Sequence, residues 1–170
     1  MATPKSSSKA PSTLPDAGGK RFGIVVSEYH GDITDRLLAG CQATLEGAGA
    51  SADNIEIIRV PGAYELPMGA RILMGKHRFD AIICLGCVIK GETQHDVYIN
   101  HAISVGMMQL SLTSHTPVIF GVLTPNTQAQ AEARAGGDHG NKGIEAAEAA
   151  IRMAALQQTV GQSKQKIGFA

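Results

Sequence analysis

The sequence is short of net charge, of cysteine and of long apolar runs, and each shortage removes a class of function. Lys plus Arg and Asp plus Glu balance at 15 each, which argues against a nucleic-acid binder relying on bulk basic charge. No apolar stretch approaches the roughly 20 residues that a membrane-spanning helix needs. The N-terminus lacks the apolar core of a secretory signal. The three cysteines have no disulfide-style spacing and fit a reducing, cytoplasmic setting. The six histidines show no zinc spacing. Among them His95 and His101 do not share a helix face as metal ligands would. There is no strand-anchored dinucleotide glycine pattern and no internal repeat. Neither a metal nor a cofactor is expected.

What is present suits one domain with a real core: 170 residues, 44% hydrophobic and 18% charged. Residues 1–20 hold three prolines, four serines and two adjacent glycines without an aromatic residue, and read as a disordered arm. An organelle-targeting peptide is the rival there, disfavoured by the lack of arginine and of an apolar face. The folded domain is expected over 21–158, with a flexible tail over 159–170.

From Arg21 onward strand and helix alternate. Phe22 to Val26 is a continuous apolar run, as in a strand covered on both faces. Ile33, Leu37, Cys41 and Leu45 then repeat at helical spacing. Ile55 to Val60 is more mixed and belongs nearer a sheet edge. A helix over Tyr64–Lys76 tolerates Pro67 in its first turn. Ala81 to Leu85 is the third strand, Gln94 to Thr113 the third helix and Pro117 to Leu123 the fourth strand. A short helix over about 127–134 and a long one over about 142–158 complete the pattern. Such repeated β-α units predict a three-layer α/β/α sandwich on a four-stranded parallel sheet, flavodoxin-like in architecture. Open sheets of this kind bind ligands at the C-terminal ends of their strands. The turns expected there are Ser27 to His30, Pro61 to Glu65, Gly86 to His95 and Thr124 to Asn126.

The turn from Gly86 to His95 carries the most chemistry. It leads from a buried strand into a helix, with Gly86 and Gly91 allowing tight backbone. A helix start offers free N–H groups to an anion, and His95 adds a group that exchanges protons near neutral pH. Chemistry on a phosphorylated small molecule is the natural reading. The helix that follows is apolar around nearly its whole circumference, through Val97, Tyr98, Ile99, Ala102, Ile103, Val105, Met107, Met108, Leu110 and Leu112. A single sheet covers one side only, so a subunit interface is expected on the other. The alanine-rich last helix predicts close helix packing, with Glu145, Glu148 and Arg152 facing water. Cys84 and Cys87 have redox spacing. An extended step between them spans about 10 Å, too far for a disulfide.

These residues resemble a known family, the 6,7-dimethyl-8-ribityllumazine synthases. The likeness runs from about Arg21 to Leu156 and rests on motifs in order and at matching spacing. They are Pro61-Gly62-Ala63-Tyr64-Glu65-Leu66-Pro67, the decapeptide ending at His95, Gly121-Val122-Leu123-Thr124, Arg134-Ala135-Gly136 and Gly140-Asn141-Lys142-Gly143. The resemblance implies a transferase of riboflavin biosynthesis that works without cofactor. It condenses 5-amino-6-(D-ribitylamino)uracil with 3,4-dihydroxy-2-butanone 4-phosphate, releasing phosphate and water. It also implies pentamers with active sites between subunits. The short connection between Arg134 and Lys142 leans toward a shell of about 60 subunits, and riboflavin synthase is a candidate partner.

Roles follow from the resemblance position by position. Tyr29 stacks on the pyrimidine, where phenylalanine or tryptophan is more familiar; the aromatic face persists. Ala63, Tyr64 and Glu65 hold the ribityl chain and ring. Cys87, Val88 and Ile89 present backbone to the uracil edge. Glu92 and Thr93 form the phosphate-side turn, and His95 is the proton carrier. Phe120 and Arg134 come from the neighbouring subunit, as ring contact and phosphate anchor, and Lys142 lines the pocket. Lys90 stands where arginine is common and loses a planar donor fork. Each has a plainer rival: a helix-start histidine that only caps backbone, a surface arginine at a helix end, solvated charges at Glu65 and Lys142, core packing for Tyr29 and Phe120. A shell-forming or flavin-binding homologue with little turnover is the alternative function. A flavodoxin-like electron carrier shares the architecture.

Overall fold

The computed structural model describes residues 13–165. Four strands, β1 (Phe22–Ser27), β2 (Ile55–Val60), β3 (Ala81–Cys87) and β4 (Val118–Leu123), form one sheet in the order β2-β1-β3-β4. Every pairing is parallel, and Ile24 lies beside Ile57 on one side and Ile83 on the other. The central strands β1 and β3 are buried along their whole length, and β2, at an edge, is only half-buried.

Helices cover both faces, and strand alternation sorts the core between them. Ile24, Val26, Ile83 and Leu85 face α1 (Gly31–Gly47) and α5 (Lys142–Gln165). There they meet the stripe Ile33, Leu37, Cys41 and Leu45, together with Ala147, Ala150 and Ile151. Val25, Ile82 and Cys84 face α2 (Leu66–Lys76) and α3 (His95–Ser114), against Leu66, Ala70, Leu73, Ile103 and Met107. Burying a Leu or Ile side chain contributes about 1.5–3 kcal/mol, so these two layers hold the sheet in place. The alanines of α5 let α1 approach closely. At Gly143 a Cβ would lie 1.9 Å from the Leu37 carbonyl oxygen, so only glycine fits that crossing.

The three-layer parallel architecture agrees with the sequence expectation, and the boundaries differ in four places. Helix α2 is preceded by a 3-10 turn over Ala63–Glu65, and Pro67 falls in the first helical turn. A small antiparallel hairpin, β5 (Ala135–Gly137) and β6 (Gly140–Asn141), follows the short α4 (Gln128–Ala133). Residues of the expected arm pack on the domain from Leu14 onward: Ala17 is fully buried, and its N–H donates to the Ala48 carbonyl at 2.8 Å. Positions 1–12 of the arm lie outside the described residues. Helix α5 continues into the expected tail as far as Gln165, and positions 166–170 lie outside the described residues.

Helix α3 buries only Ile103 and Met107 fully, with Ile99 and Leu110 partly covered. Val97, Tyr98, Val105, Met108 and Leu112 stay exposed, alongside Tyr64, Met68 and Ile72 from the α2 side. One sheet covers one side of this helix, and these exposed apolar residues follow helical spacing along its other side.

Candidate active site

The C-terminal ends of the strands open into two separate hollows. The first, of about 650 Å³, lies over β1, β2 and β3. After β1 the chain stays pinned to the end of β2: the N–H groups of Glu28 and Tyr29 donate to the carbonyls of Val60 and Pro61 at 2.8 and 3.2 Å. This leaves the Tyr29 ring at the cleft mouth, 69% exposed. After β2, the Gly62 N–H donates to Glu65 Oε2 at 3.0 Å. That bond closes the turn on itself and sets Ala63, Tyr64 and Glu65 along the cleft wall. A carboxylate has about four acceptor positions, so Glu65 keeps capacity for a ligand hydroxyl.

Beyond β3, Val88 and Lys90 donate their N–H groups to Leu123 and Pro125, at 2.8 and 2.9 Å. Ile89, between them, lines the cleft with Tyr29 and Gly62. Gly91 and Thr93 continue the lining, and Glu92 does not belong to it. His95 opens α3, and its N–H points at Thr93 Oγ1 at 3.4 Å. His95 thus lines the cleft at a helix N-terminus, where oriented N–H groups favour an anion.

The second hollow, also about 650 Å³, lies between the end of β4, α4 and the β5–β6 hairpin. Its lining includes Thr124, Pro125, Arg134, His139 and Lys142. Arg134 Nη2 reaches Glu145 Oε1 at 2.7 Å, and Arg134 Nη1 donates to the His139 carbonyl. Lys142 Nζ reaches Glu145 Oε2 at 3.3 Å. Partial burial works against ionisation of Glu145. The hydrogen bonds and charges of Arg134 and Lys142 outweigh it and hold this carboxyl below its ordinary pKa. The outcome is a cationic corner whose two cations are fixed by one carboxylate. Glu145 faces water as expected, its side chain 45% exposed, and its carboxylate is also the bridge between them.

Within one protomer the candidate residues are thus divided. Tyr29, Ala63, Tyr64, Glu65, Cys87, Val88, Ile89, Thr93 and His95 share the first cleft, and Arg134 and Lys142 share the second. Phe120 lines neither. It sits mid-way along the edge strand β4, partly exposed and opposite Cys84. Sequence reasoning gave no site role to three residues. His30, within a turn expected at this edge, lines the first cleft. Asp96 does too, and its buried Oδ1 has no hydrogen-bond partner. Glu145 is the third; its three-residue spacing from Lys142 was the available signal.

Cys41 and Cys87 are buried thiols pushed up to about 12, Cys41 by desolvation and Cys87 by desolvation and the charge of Asp32. Burial raises Cys84 further. Such thiols are poor nucleophiles. Among the described residues no three His, Cys, Asp or Glu side chains converge as a metal site would require.

Comparison with known proteins decides between the chemistries this edge could serve. The family model for 6,7-dimethyl-8-ribityllumazine synthase matches residues 19–158. This chain belongs to the lumazine synthase family. It is 46% identical to the 6,7-dimethyl-8-ribityllumazine synthase of Porphyromonas gingivalis over 146 residues, 86% of this chain and 91% of the relative. A lumazine synthase of Cytophaga hutchinsonii is 47% identical over 147 residues, with 86% and 91% covered. That of Parabacteroides distasonis is 46% identical over 141 residues, with 83% and 88% covered. Both hollows and the whole sheet lie inside the matched span, so the lumazine synthase likeness extends over the complete candidate site.

Proposed function

We propose that this chain condenses 5-amino-6-(D-ribitylamino)uracil with 3,4-dihydroxy-2-butanone 4-phosphate to 6,7-dimethyl-8-ribityllumazine, at a site completed between two subunits. One observation carries this reading. A family match across the domain coincides with two chemically distinct hollows on one sheet edge, one aromatic and polar, the other cationic. The first suits a flat heterocycle with a polyol chain. Tyr29 offers a face for stacking, the backbone at Ile89 meets the uracil edge, and Glu65 accepts ribityl hydroxyls. The second suits a phosphate, which Arg134 grips with its planar donor fork and Lys142 neutralises.

The reaction needs no electron transfer. The uracil amine attacks the ketone and water leaves to form an imine. Elimination then expels inorganic phosphate, and the ribitylamino nitrogen closes the ring with loss of a second water. Each stage moves protons between nitrogen, oxygen and carbon, and His95 is placed at the cleft to carry them. Thr93, with the backbone beside Glu92, borders the phosphate side.

Bringing the hollows together takes a second chain. The exposed apolar side of α3 with Tyr64, Met68 and Ile72 supplies a surface for it, and Phe120, exposed on β4, would meet the neighbouring cleft. We take the assembly to be a pentamer within a shell of about 60 subunits, in keeping with the tight β5–β6 hairpin between Arg134 and Lys142. Buried free thiols suit a reducing cytoplasm, and riboflavin synthase, which consumes the product, is the partner to look for.

Mixing purified protein with both substrates and following lumazine absorbance tests the reaction. Product formation no faster than the uncatalysed background would overturn it and leave the shell-forming or flavin-binding alternative.

A further inference from the structure

The cleft holds a residue in a backbone conformation that side chains with a Cβ seldom adopt. His30 sits in the left-handed region at φ 58 and ψ 48, one of two non-glycine residues with positive φ among the described residues. That conformation is uncommon for any residue with a Cβ and concentrates at functional sites. It lets the His30 carbonyl start α1, accepting from the N–H groups of Ile33 and Thr34 at 2.9 and 3.0 Å. Glycine or asparagine would do this more easily, and the imidazole makes no capping hydrogen bond. Instead the ring packs at right angles to Tyr29, with centroids 4.8 Å apart and an interplanar angle of 79°. Both rings line the first cleft.

We infer that His30 is a positioning residue that fixes the Tyr29 ring in its stacking orientation before the pyrimidine arrives. The proposal rests on the functional reading above and goes beyond it. The hydrogen bonds to Val60 and Pro61 hold the backbone of residues 28 and 29 but leave the Tyr29 side chain free to rotate, and its ring is largely exposed. An edge-to-face partner removes that freedom and occupies at most one face of the phenol, so another face stays open to a flat ligand. Preorganising a ring in this way strengthens binding without any new contact to the ligand.

A double-mutant cycle tests it, with calorimetric binding of a 6-(ribitylamino)uracil that lacks the nucleophilic 5-amine. His30→Asn keeps the left-handed backbone accessible and deletes the ring contact. It is expected to weaken binding about three- to tenfold in the otherwise unaltered chain. In a Tyr29→Ala background it is expected to change binding by less than about twofold. The apparent affinity for the phosphorylated substrate should not move. No weakening, or the same factor in both backgrounds, would overturn the proposal, since His30 would then act independently of Tyr29. Should the unaltered protein neither bind the analogue nor form lumazine, the functional reading fails on its own. Crystal structures of the unaltered protein and of the His30→Asn variant then decide the positioning claim. Tyr29 in one rotamer in the former and in several in the latter supports it, and the same single rotamer in both refutes it.

Discussion

Replacing Arg134 by alanine removes the planar cation of the second hollow, and the structure sets how much should follow. Two consequences add. Charge-assisted hydrogen bonds to phosphate are worth about 1.5–3 kcal/mol, which is about ten- to 150-fold in affinity. The second consequence is electrostatic. Arg134 lies 2.7 Å from Glu145, whose other oxygen faces Lys142 at 3.3 Å. Without the arginine, that carboxylate has one cation left and repels an incoming phosphate. Arg134→Ala should therefore sit toward the upper end of the range, and adding Glu145→Gln should recover part of the loss. The assay is steady-state lumazine formation with each substrate varied in turn. KM for the butanone phosphate should rise steeply while KM for the pyrimidine stays near its original value. An unchanged phosphate KM, or equal increases for both substrates, would refute the assignment. A double variant worse than the single one would refute the role given to Glu145.

Other outcomes follow from the same geometry. His95→Ala should lower kcat by no more than about a hundredfold rather than abolish turnover, because holding two reactants together supplies much of the rate; complete loss in a single-turnover assay would contradict this. Glu145 has a lowered folded pKa, so its stabilising effect is full above the ordinary carboxyl value and fades as pH falls through the lowered one. Half-exposed ion pairs are screened, and Glu145→Gln should cost only about 1 kcal/mol at pH 7, a gap in melting temperature that closes in acid; a gap that widens in acid would be contrary. Gly143→Ala drives a Cβ into the Leu37 carbonyl and should cost about 1–3 kcal/mol, read by denaturant unfolding at fixed protein concentration. Met108→Glu or Leu112→Glu changes residues that are exposed in the single chain. Such variants should keep the secondary structure and lose the large assembly in sedimentation, and an assembly of unaltered size would remove α3 from the interface.

The sheet was legible in the sequence because buried parallel strands are continuous apolar runs, as Phe22 to Val26 and Ala81 to Leu85 are. The mixed run Ile55 to Val60 reads as an edge for the same reason, and β2 is one. The β5–β6 hairpin was not legible, since three- and two-residue strands built on glycines have no periodicity to detect. Nor was the packing of Ala17, which joins the core and bonds to Ala48, far away in sequence. At the site, the turns at the strand ends were predictable from topology, and the resemblance named their residues. Glu145 was hidden because a helix-surface pattern does not reveal that Arg134, eleven residues earlier, folds back onto it through the hairpin. The left-handed His30 was hidden because one backbone angle leaves no mark on composition or spacing.

The central claim is that catalysis needs one hollow from each of two subunits, and subunit complementation tests it most directly. One chain carries Tyr29→Ala with His95→Ala, disabling the first hollow; the other carries Arg134→Ala, disabling the second. Coexpressed with different tags and purified as mixed assemblies, they should place both intact halves together at about a quarter of the interfaces. Lumazine formation should then rise well above the average of the two variants assayed alone. Activity equal to that average, in assemblies shown to contain both tags, would mean that each subunit works by itself and would contradict the account.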